Sequence, residues 1–287
     1  INFILTVWDL NHKYGNEFPE IRNMNFINYF DNFYNKVLKK ASAIIVDSGQ
    51  SKQDIEQYYS INKDRIKVIP FEPSISINKK NLESESVNIK KKYQLNYPYV
   101  FYPAQFWAHK NHIYILEGLK ILEENYNIKI GAIFSGSDQG SLDHIKDQAE
   151  RLGLIERVRF IGFVSNDEIP KLYLQSIALV MPTFLGPTNI PPLEAFKLGV
   201  PVLYSDLPGL KDQVKEAALL LDLKNPDTMA KHIKNLLNDE ELKNQLIKRG
   251  FERSNYFSKF DRYNILKSAV SEFQIKNTCW ASYSKIH

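Results

Sequence analysis

The sequence of 287 residues contains a single cysteine, Cys279, and no long apolar run. One cysteine excludes an intramolecular disulfide and agrees with a reducing compartment, without proving one. A bilayer-spanning helix needs about 20 predominantly apolar residues, and no run approaches that length. No secretory signal is visible. The composition, 44% hydrophobic and 24% charged, is typical of a soluble globular protein with room for two ordinary domains. We therefore expect a cytoplasmic protein.

The chain also lacks a strongly charged face, because its formal net charge is only +4. Residues 1–75 and residues 98–287 are nearly balanced in charge. The surplus lies in residues 76–97, which carry five lysines and two glutamates. A surplus confined to one short polar segment does not make the basic surface that nucleic-acid binding requires. We therefore expect no nucleic-acid partner.

Several catalytic signatures are missing from the sequence. It has no Asp-x-Asp pair, which a metal-bound diphosphate usually requires, and no GxGxxG or Walker A pattern. No recognisable Ser-His-Asp or Cys-His arrangement occurs. His109 and His112 have a spacing that suits metal ligands, but no third ligand is evident. The sequence thus predicts no metal and no bound cofactor, so that lysine and helix dipoles must neutralise any bound phosphate.

Residues 1–75 alternate between apolar runs and helical patterns. Strands are expected over 1–7, 41–46 and 66–69, and helices over 19–40 and 51–59, the second with Ser48 or Ser51 as its cap. This alternation predicts a parallel sheet. Three strands are fewer than a parallel sheet usually has, and the chain opens inside a strand. We therefore expect residues 1–75 to be the second half of a domain whose first half is absent from this sequence.

Residues 76–97 are rich in Asn, Ser, Lys and Glu, and they predict an exposed linker or loop. A longer α/β series follows in residues 98–257. Its strand candidates are 99–104, 128–135, 158–163, 177–181, 201–205 and 218–221. Its helix candidates are 113–124, 142–152, 166–175, 192–198, 210–215, 226–237 and 240–256. Six strands with interleaved helices predict a doubly wound domain, which binds ligands at the carboxyl ends of its strands. Residues 258–287 predict a helix, about 259–273, that crosses back to the N-terminal half, and a tail.

The segment from Thr183 to Gly199 joins an apolar strand to a helix through a loop rich in Gly, Pro, Thr and Asn. Backbone N–H groups and the positive end of the helix dipole meet in such a loop, which favours an anion. Glu194 is expected in the first turn of that helix. A phosphate on the amides and ribose hydroxyls on Glu194 would together suit a nucleotide. The alternative is a plain strand–helix connection.

Other strand ends supply weaker candidates. Lys110 comes just before a helix, where its ammonium can neutralise a phosphate, although a solvated loop lysine has the same pattern. The turns at residues 136–138 and 162–164 contain Gly136 and Gly162, which let a backbone approach a ligand closely. Each turn is a common feature and predicts little by itself.

Together these segments resemble the C-terminal half of the retaining family 4 glycosyltransferases, also called glycosyl transferases group 1, with the GT-B fold. The strongest block is residues 186–202, Gly-Pro-Thr-Asn-Ile-Pro-Pro-Leu-Glu-Ala-Phe-Lys-Leu-Gly-Val-Pro-Val. Supporting blocks are residues 102–111, 160–164 and 255–258, while residues 6–12 and 18–20 resemble the family's His-Asp segment. The resemblance covers nearly all of the chain. It implies an α/β fold of two Rossmann-like, doubly wound domains facing a cleft, the N-terminal one incomplete here.

The resemblance also implies a reaction: metal-independent transfer of a hexose from a nucleotide-diphosphate sugar to an acceptor hydroxyl, with retention of configuration. It assigns the donor diphosphate to Lys110 and the ribose to Glu194, in one shared pocket, and it places Asp9 and His12 on the acceptor side. The donor-binding residues that it implies are Gln105, Gly136, Ser137, Gly162, Phe163, Val164, Gly186, Pro187, Thr188, Asn189 and Ile190.

Three positions depart from the family pattern. Gly186 replaces the first of two glutamates eight positions apart, so contacts to the donor sugar must come from elsewhere, with Thr188 and Asn189 as candidates. Gln105 replaces an arginine that usually precedes the lysine by five positions. Trp8 replaces the histidine before Asp9, and His12 is a candidate substitute. The variant loop resembles a subgroup of bacterial surface-polysaccharide enzymes, which favours specialisation over loss of function.

The expected partners are a nucleotide-diphosphate sugar and a glycan or lipid-linked glycan acceptor, in cell-surface polysaccharide or lipopolysaccharide biosynthesis. The helical spacing of the aromatics in residues 26–40 favours core packing, and a peripheral contact with the inner membrane face is the alternative. We do not expect this chain to be active alone. Two other functions stay open: a non-catalytic nucleotide-sugar-binding partner subunit, which the three departures favour, and another enzyme of the same fold, such as a nucleotide-sugar epimerase or a phosphorylase.

Overall fold

The N-terminal part of the chain forms a small parallel sheet. A computed structural model describes residues 3–74, 77 and 88–280. Strands β1 (Ile4–Thr6), β2 (Ala43–Val46) and β3 (Ile66–Val68) pair in that order. Helices α1 (Asn11–Tyr14) and α2 (Met24–Lys40) connect β1 to β2, and α3 (Gly49–Tyr59) connects β2 to β3. These helical crossovers are what parallel pairing requires.

The second sheet has six parallel strands in the order β6-β5-β4-β7-β8-β9. Its strands are β4 (Tyr99–Pro103), β5 (Gly131–Ser135), β6 (Val158–Phe160), β7 (Leu179–Met181), β8 (Val202–Ser205) and β9 (Leu219–Leu221). The helices of this part are α4 (Ile89–Lys92), α5 (His112–Tyr126), α6 (Leu142–Arg151), α7 (Ile169–Leu174), α8 (Ile190–Leu198), α9 (Leu210–Val214), α10 (Asp227–Asn238), α11 (Glu240–Ser258) and α12 (Arg262–Trp280). The central strands are buried along nearly their whole length, which explains their continuous apolar sequences. The predicted α/β fold with parallel sheets is confirmed.

The direction of strand addition reverses between β4 and β7. From β4 the chain moves outward through β5 and β6, and from β7 it moves outward on the other side through β8 and β9. The loops that leave β4 and β7 therefore diverge at the carboxyl edge of the sheet, where doubly wound folds bind their ligands. The N–H of Phe184 donates to the carbonyl of His109 at 2.8 Å and ties these two loops together.

Helix starts in the first sheet depend on local caps. The helix predicted over 19–40 begins only at Met24, because the Asn23 side chain accepts a hydrogen bond from the N–H of Asn25 at 2.9 Å. The short α1 was not predicted, since a single turn has no measurable periodicity. Ser48, one of the two expected caps of α3, accepts from the N–H of Ser51 at 3.1 Å.

Part of the segment predicted as an exposed linker is folded. Of residues 76–97, the structure describes 77 and 88–97, which include α4. Ile77, Ile89 and Leu95 are buried in the core of the second sheet. Three apolar residues scattered among Asn, Ser and Lys have no periodicity, so the sequence did not indicate their burial. The rest of this segment lies outside the described residues, and the domain boundaries stay a prediction.

Helix α12 contacts the end of the first sheet. Arg262 donates hydrogen bonds to the carbonyls of Pro70 and Phe71, each at 3.1 Å. Lys67 on β3 pairs with Glu272 at 3.2 Å. These contacts place the last helix beside the carboxyl end of β3. The helix ends at Trp280 and is longer than expected. The predicted tail after Trp280 lies outside the described residues.

The aromatic side chains of α2 divide between two faces. Phe30 and Tyr34 are half-buried, but Phe26, Tyr29 and Phe33 are exposed. The expectation that this aromatic stretch packs in the core is wrong for those three, because only one stripe of a surface helix can face the sheet. Among the described residues, no helix combines the length and apolar character needed to cross a bilayer.

Candidate functional site

The loops after β4 and β7 enclose a cavity of about 520 Å³, which we call the switch-point cavity. Its principal lining residues follow four strands: Trp8, Asp9 and Asn11 after β1, Phe71 after β3, Gln105 and Lys110 after β4, and residues 186–191 after β7. The carboxyl ends of strands from both sheets thus meet at one cavity. Of the residues predicted from the sequence, the structure brings together Asp9, Gln105, Lys110 and the 186–190 loop.

Lys110 supplies the cation of this cavity. It ends a short 3-10 turn, Ala108–Lys110, and its carbonyl accepts a hydrogen bond from the Tyr102 hydroxyl at 3.0 Å. The residue as a whole is partly exposed, but protein surrounds its amine, and this loss of hydration lowers the pKa of Lys110 to about 8, with the Asp9 carboxylate acting in the opposite direction. At pH 7 the amine is therefore mostly protonated and suited to an anionic ligand.

The loop after β7 offers fewer amides than the sequence predicted. Gly186 adopts a φ of +115°, in the region that favours glycine. Three prolines, at positions 187, 191 and 192, have no N–H. The N–H of Asn189 donates to Gln213 Oε1 at 3.0 Å, so it is not available to a phosphate. The amides of Thr188 and Ile190 are what remains of the predicted anion site at the start of α8.

Asp9 lies where three cavities meet. Its Oδ1 accepts a hydrogen bond from the N–H of Asn11 at 3.0 Å, which fixes the carboxylate at the start of α1. Besides the switch-point cavity, it lines a mainly apolar cavity of about 440 Å³ and one of about 410 Å³ that we call the aromatic cavity. The aromatic cavity is lined mainly by Trp8, Asp9, His12, Glu20, Phe26, Phe30, Tyr34, Trp107 and His109.

His12 shares the aromatic cavity with Asp9, but its ring is already engaged. Its Nε2 lies 2.9 Å from the Tyr59 hydroxyl and 3.2 Å from Asp31 Oδ1, and its ring stacks on Phe30 and Tyr34. Burial lowers the pKa of His12, and the nearby Asp31 carboxylate only partly opposes that effect. These contacts fix the histidine between α1, α2 and α3.

Two contacts between the sheets were not predicted. Glu20 Oε1 accepts a hydrogen bond from the N–H of His109 at 3.0 Å and lies 2.6 Å from its Nδ1. The Thr188 hydroxyl donates to the Asp47 carboxylate, whose pKa is raised by burial because its hydrogen bonds only partly offset the loss of water. Asp47 directly follows β2, so the rule that strand ends carry site residues would have found it. The resemblance included Glu20 in a block but gave it no role.

In the part of the chain that the structure describes, Glu194 does not line the switch-point cavity beside Lys110, so a single pocket shared by the two residues stays a prediction. Since α8 begins at Ile190, Glu194 lies in its second turn rather than its first. Its carboxylate accepts hydrogen bonds from the Tyr173 hydroxyl at 3.1 Å and from the backbone N–H of Ser74. Burial raises the pKa of Glu194, and the two hydrogen bonds oppose that change. Among the described residues, the lining of the switch-point cavity ends at Pro191.

The turns after β5 and β6 lie on the far side of the β4 loop. The N–H of Gly136 donates to the carbonyl of Gly162 at 2.9 Å, and a Cβ at position 136 would clash with the Ala104 carbonyl. Phe163 is almost fully exposed. Within the part of the chain that the structure describes, the following predicted residues do not line the switch-point cavity: Gly136, Ser137, Gly162, Phe163 and Val164.

Sequence comparison gives a match to one family and to several proteins. The model of the family described as glycosyl transferases group 1 matches residues 85–253. The chain is similar to O-antigen chain mannosyltransferase B of Escherichia coli, with 26% identity over 242 residues that cover 84% of this chain and 63% of that protein. The chain spans 60% to 63% of the length of the first curated relatives that it matches.

Solved glycosyltransferase structures share the fold. WaaG, a glycosyltransferase involved in lipopolysaccharide biosynthesis, superposes with a TM-score of 0.74 at 16% identity, covering 93% of this chain and 73% of that chain. HepE of Anabaena in complex with UDP-glucose superposes with a TM-score of 0.73 at 19% identity, covering 94% of this chain and 71% of that chain. The predicted GT-B architecture is therefore confirmed.

Proposed function

Because this chain belongs to the family of glycosyl transferases group 1, we propose that it transfers a hexose from a nucleotide-diphosphate sugar to an acceptor hydroxyl, with retention of configuration. The observation that carries the proposal is the switch-point cavity, where the Lys110 amine and the Asp9 carboxylate come from the loops of two different sheets. The similarity to an O-antigen mannosyltransferase supports a role in cell-surface polysaccharide or lipopolysaccharide biosynthesis.

The chemical difficulty of this transfer is the negative charge that develops on the leaving diphosphate. Lys110, the amides of Thr188 and Ile190, and the N-terminal end of α8 would stabilise that charge. Removing one such preorganised donor typically costs about 3 kcal/mol of transition-state stabilisation. The proposal includes no metal and no cofactor, since these groups supply the neutralising charge.

The ribose of the donor is assigned to Glu194. Its carboxylate accepts from Tyr173 and from the backbone of Ser74, and two further lone pairs are left to accept from ribose hydroxyls. The base is assigned to the turns that contain Gly162, Phe163 and Val164, and Gly136 and Ser137 lie beside them. These assignments place the nucleotide along the carboxyl edge of the second sheet.

The acceptor is assigned to the aromatic cavity, with its hydroxyl directed at Asp9. Exposed aromatic rings such as Trp8 and Phe26 offer flat apolar faces, and Asp9 and Glu20 offer hydrogen-bond acceptors. This combination suits a sugar ring, which has an apolar face and hydroxyl edges. We therefore propose a glycan or a lipid-linked glycan as the acceptor. The exposed aromatic face of α2, beside Lys36, Lys39 and Lys40, supports a peripheral contact with the inner membrane face.

The proposal is tested with UDP, GDP and their sugar conjugates. A nucleotide that binds the native state should raise the melting temperature, by an amount equivalent to about 2.7 kcal/mol at 100 times its Kd. In a protein that also contains the first half of the N-terminal domain, which is expected to be absent here, the same sugar nucleotide should release its nucleoside diphosphate when a glycan acceptor is added. Lys110→Met should remove both effects, whereas Lys120→Met, on the surface of α5, should change neither. If none of these nucleotides raises the melting temperature, the proposal is contradicted.

A second candidate is a non-catalytic nucleotide-sugar-binding subunit. The engaged Nε2 of His12 favours it, because this was the candidate substitute for the missing histidine at Trp8. Tight binding of a sugar nucleotide with no turnover would support it. A nucleotide-sugar epimerase would instead change the donor without any acceptor present.

A further inference from the structure

Asn189 belongs to a closed hydrogen-bond network at the edge of the switch-point cavity. Its backbone N–H donates to Gln213 Oε1 at 3.0 Å, and its carbonyl accepts from Gln213 Nε2 at 2.6 Å. Its side-chain Nδ2 donates to the Tyr204 hydroxyl at 2.6 Å, and that hydroxyl donates to Gln213 Oε1 at 3.1 Å. Tyr204 and Gln213 are both buried. A loop residue is thus held on three sides by groups that are closed to solvent.

The network fixes which way the Asn189 amide points. A backbone N–H can only donate, so the atom of Gln213 that faces it must be the carbonyl oxygen. That oxygen can only accept, so the Tyr204 hydroxyl must give it its single proton. The hydroxyl oxygen then accepts from Asn189, whose inward atom must be the NH₂ group. The Oδ1 of Asn189 is left to face away from Tyr204.

The amide borders the space that Gly186 leaves empty. A Cβ at position 186 would lie 3.6 Å from Asn189 Nδ2 and 3.7 Å from Oδ1. Both residues line the switch-point cavity, and these distances are ordinary van der Waals contacts between the added carbon and the Asn189 amide. Thr188, the other candidate for this place, has its hydroxyl proton committed to Asp47 across the two sheets.

We propose that Asn189 recognises a hydroxyl of the donor sugar through its Oδ1, and that Tyr204 and Gln213 are positioning residues that hold the amide in that orientation. The proposal rests on the proposed function, because the ligand is the sugar portion of the nucleotide-diphosphate sugar. A carbonyl oxygen fixed by buried partners accepts from a hydroxyl without reorganisation. A donor that lacks that hydroxyl, or presents it in the other configuration, leaves the amide unpaired and binds less well.

The hydrogen-bond network around Asn189 is connected to helix α11. Arg253 on α11 donates to the carbonyls of Gln213 and Asp212, each at 2.7 Å, and so holds the end of α9 from which Gln213 reaches Asn189. The orientation of the amide therefore depends on tertiary packing rather than on the loop alone. A substitution of a buried network residue should therefore weaken the contact between Asn189 and the sugar, although the substituted residue does not itself touch the nucleotide.

The test compares the affinity of each sugar nucleotide with that of its own nucleoside diphosphate, measured by calorimetry for UDP-glucose with UDP and for GDP-mannose with GDP. In the wild type, the preferred sugar nucleotide should bind more tightly than its own nucleoside diphosphate. Asn189→Ala and Tyr204→Phe should each reduce that improvement at least tenfold. The affinity for the nucleoside diphosphate alone should change less than twofold, because Lys110 and the loop amides remain.

Tyr99→Phe is the matched control. Tyr99 is a fully buried tyrosine on β4, two strands away from Tyr204 in the same sheet, and its hydroxyl donates to the Leu172 carbonyl at 2.8 Å. It should leave both affinities unchanged. The inference is overturned, while the proposed function stands, if Tyr204→Phe weakens binding of the nucleoside diphosphate and of the sugar nucleotide equally. The same holds if the variant leaves the affinity gained from the sugar unchanged. If the wild type binds neither ligand of either pair, the proposed function fails and the inference fails with it.

Discussion

At the scale of single residues, the strand-end rule found the charged groups but not their pairing. Asp9 and Lys110 follow β1 and β4, and both line the switch-point cavity as their positions indicated. Glu194 lies in the second turn of α8 rather than the first, because the helix begins at Ile190, two residues before the predicted range of 192–198. The hydrogen bonds from Tyr173 and Ser74 to Glu194 connect residues far apart in sequence, and no local pattern reports them.

Lys110 should set the alkaline limit of activity. Its pKa of about 8 lies below the ordinary lysine value, so the amine loses its proton as the pH rises through about 8, and the neutral amine no longer attracts the diphosphate. In a protein that also contains the first half of the N-terminal domain, which is expected to be absent here, we expect kcat/KM to fall about tenfold per pH unit beyond that point, as measured by initial rates. Lys110→Arg, which stays charged, should lose this alkaline decline. A wild-type profile that is flat well above pH 8 would argue against the role.

Glu194 should contribute to nucleotide binding through ribose. Glu194→Gln should weaken UDP or GDP binding by about tenfold, the loss of about one charge-assisted hydrogen bond. The wild type should also prefer the ribonucleotide over its 2′- or 3′-deoxy form, and the variant should lose that preference. Glu150→Gln, on the exposed surface of α6, serves as the control. An unchanged ribose preference in Glu194→Gln would remove the assignment.

At the scale of elements, the strands were predictable and the short helices were not. All nine strands of the described residues fall within the predicted ranges, since buried parallel strands are continuous apolar runs. Helices α1 and α4 have four residues each, too few for a 3.6-residue period to show. The sequence also could not tell which face of α2 would be exposed, because apolar residues occur on both faces.

The exposed face of α2 should bind an anionic membrane surface. Phe26, Tyr29 and Phe33 are exposed on this helix, and Lys36, Lys39 and Lys40 lie on the same helix. The double variant Phe26→Ser with Tyr29→Ser should lower co-sedimentation with phosphatidylglycerol-containing vesicles by at least threefold. Tyr263→Ser removes a more exposed ring from α12 and should have no effect. Equal sedimentation of all variants would leave this face without a membrane role.

At the scale of the whole molecule, the two sheets are joined by side chains as well as by the connecting segment. Glu20 bonds His109, Asp47 bonds Thr188, and α12 returns to the end of β3. These contacts link residues far apart in sequence, and each depends on an exact side-chain position. The sequence therefore predicted the two parallel sheets and most of their helices, but not the side-chain contacts between the two parts of the chain.

Arg262 should stabilise the return of α12. Arg262→Ala removes the hydrogen bonds to the Pro70 and Phe71 carbonyls and the ion pair with Glu72. We expect the melting temperature to fall by roughly 2–8 °C, equivalent to about 1–2 kcal/mol for a chain of this size. Lys267→Ala, five residues further along α12, should lower it by no more than about 2 °C, the scale of ordinary surface substitutions, ~0.5 kcal/mol. Equal shifts in the two variants would contradict an anchoring role.

Most of the wall of the switch-point cavity comes from residues 8–11, 105–110 and 186–191, and Phe71 contributes between the first two groups. No contiguous fragment ending before residue 186 contains all three groups. During synthesis on the ribosome, the ligand-binding surface can therefore close only after the chain has emerged beyond residue 191. Until then, the nascent polypeptide carries strands β1, β2 and β3 without the loops that complete this cavity.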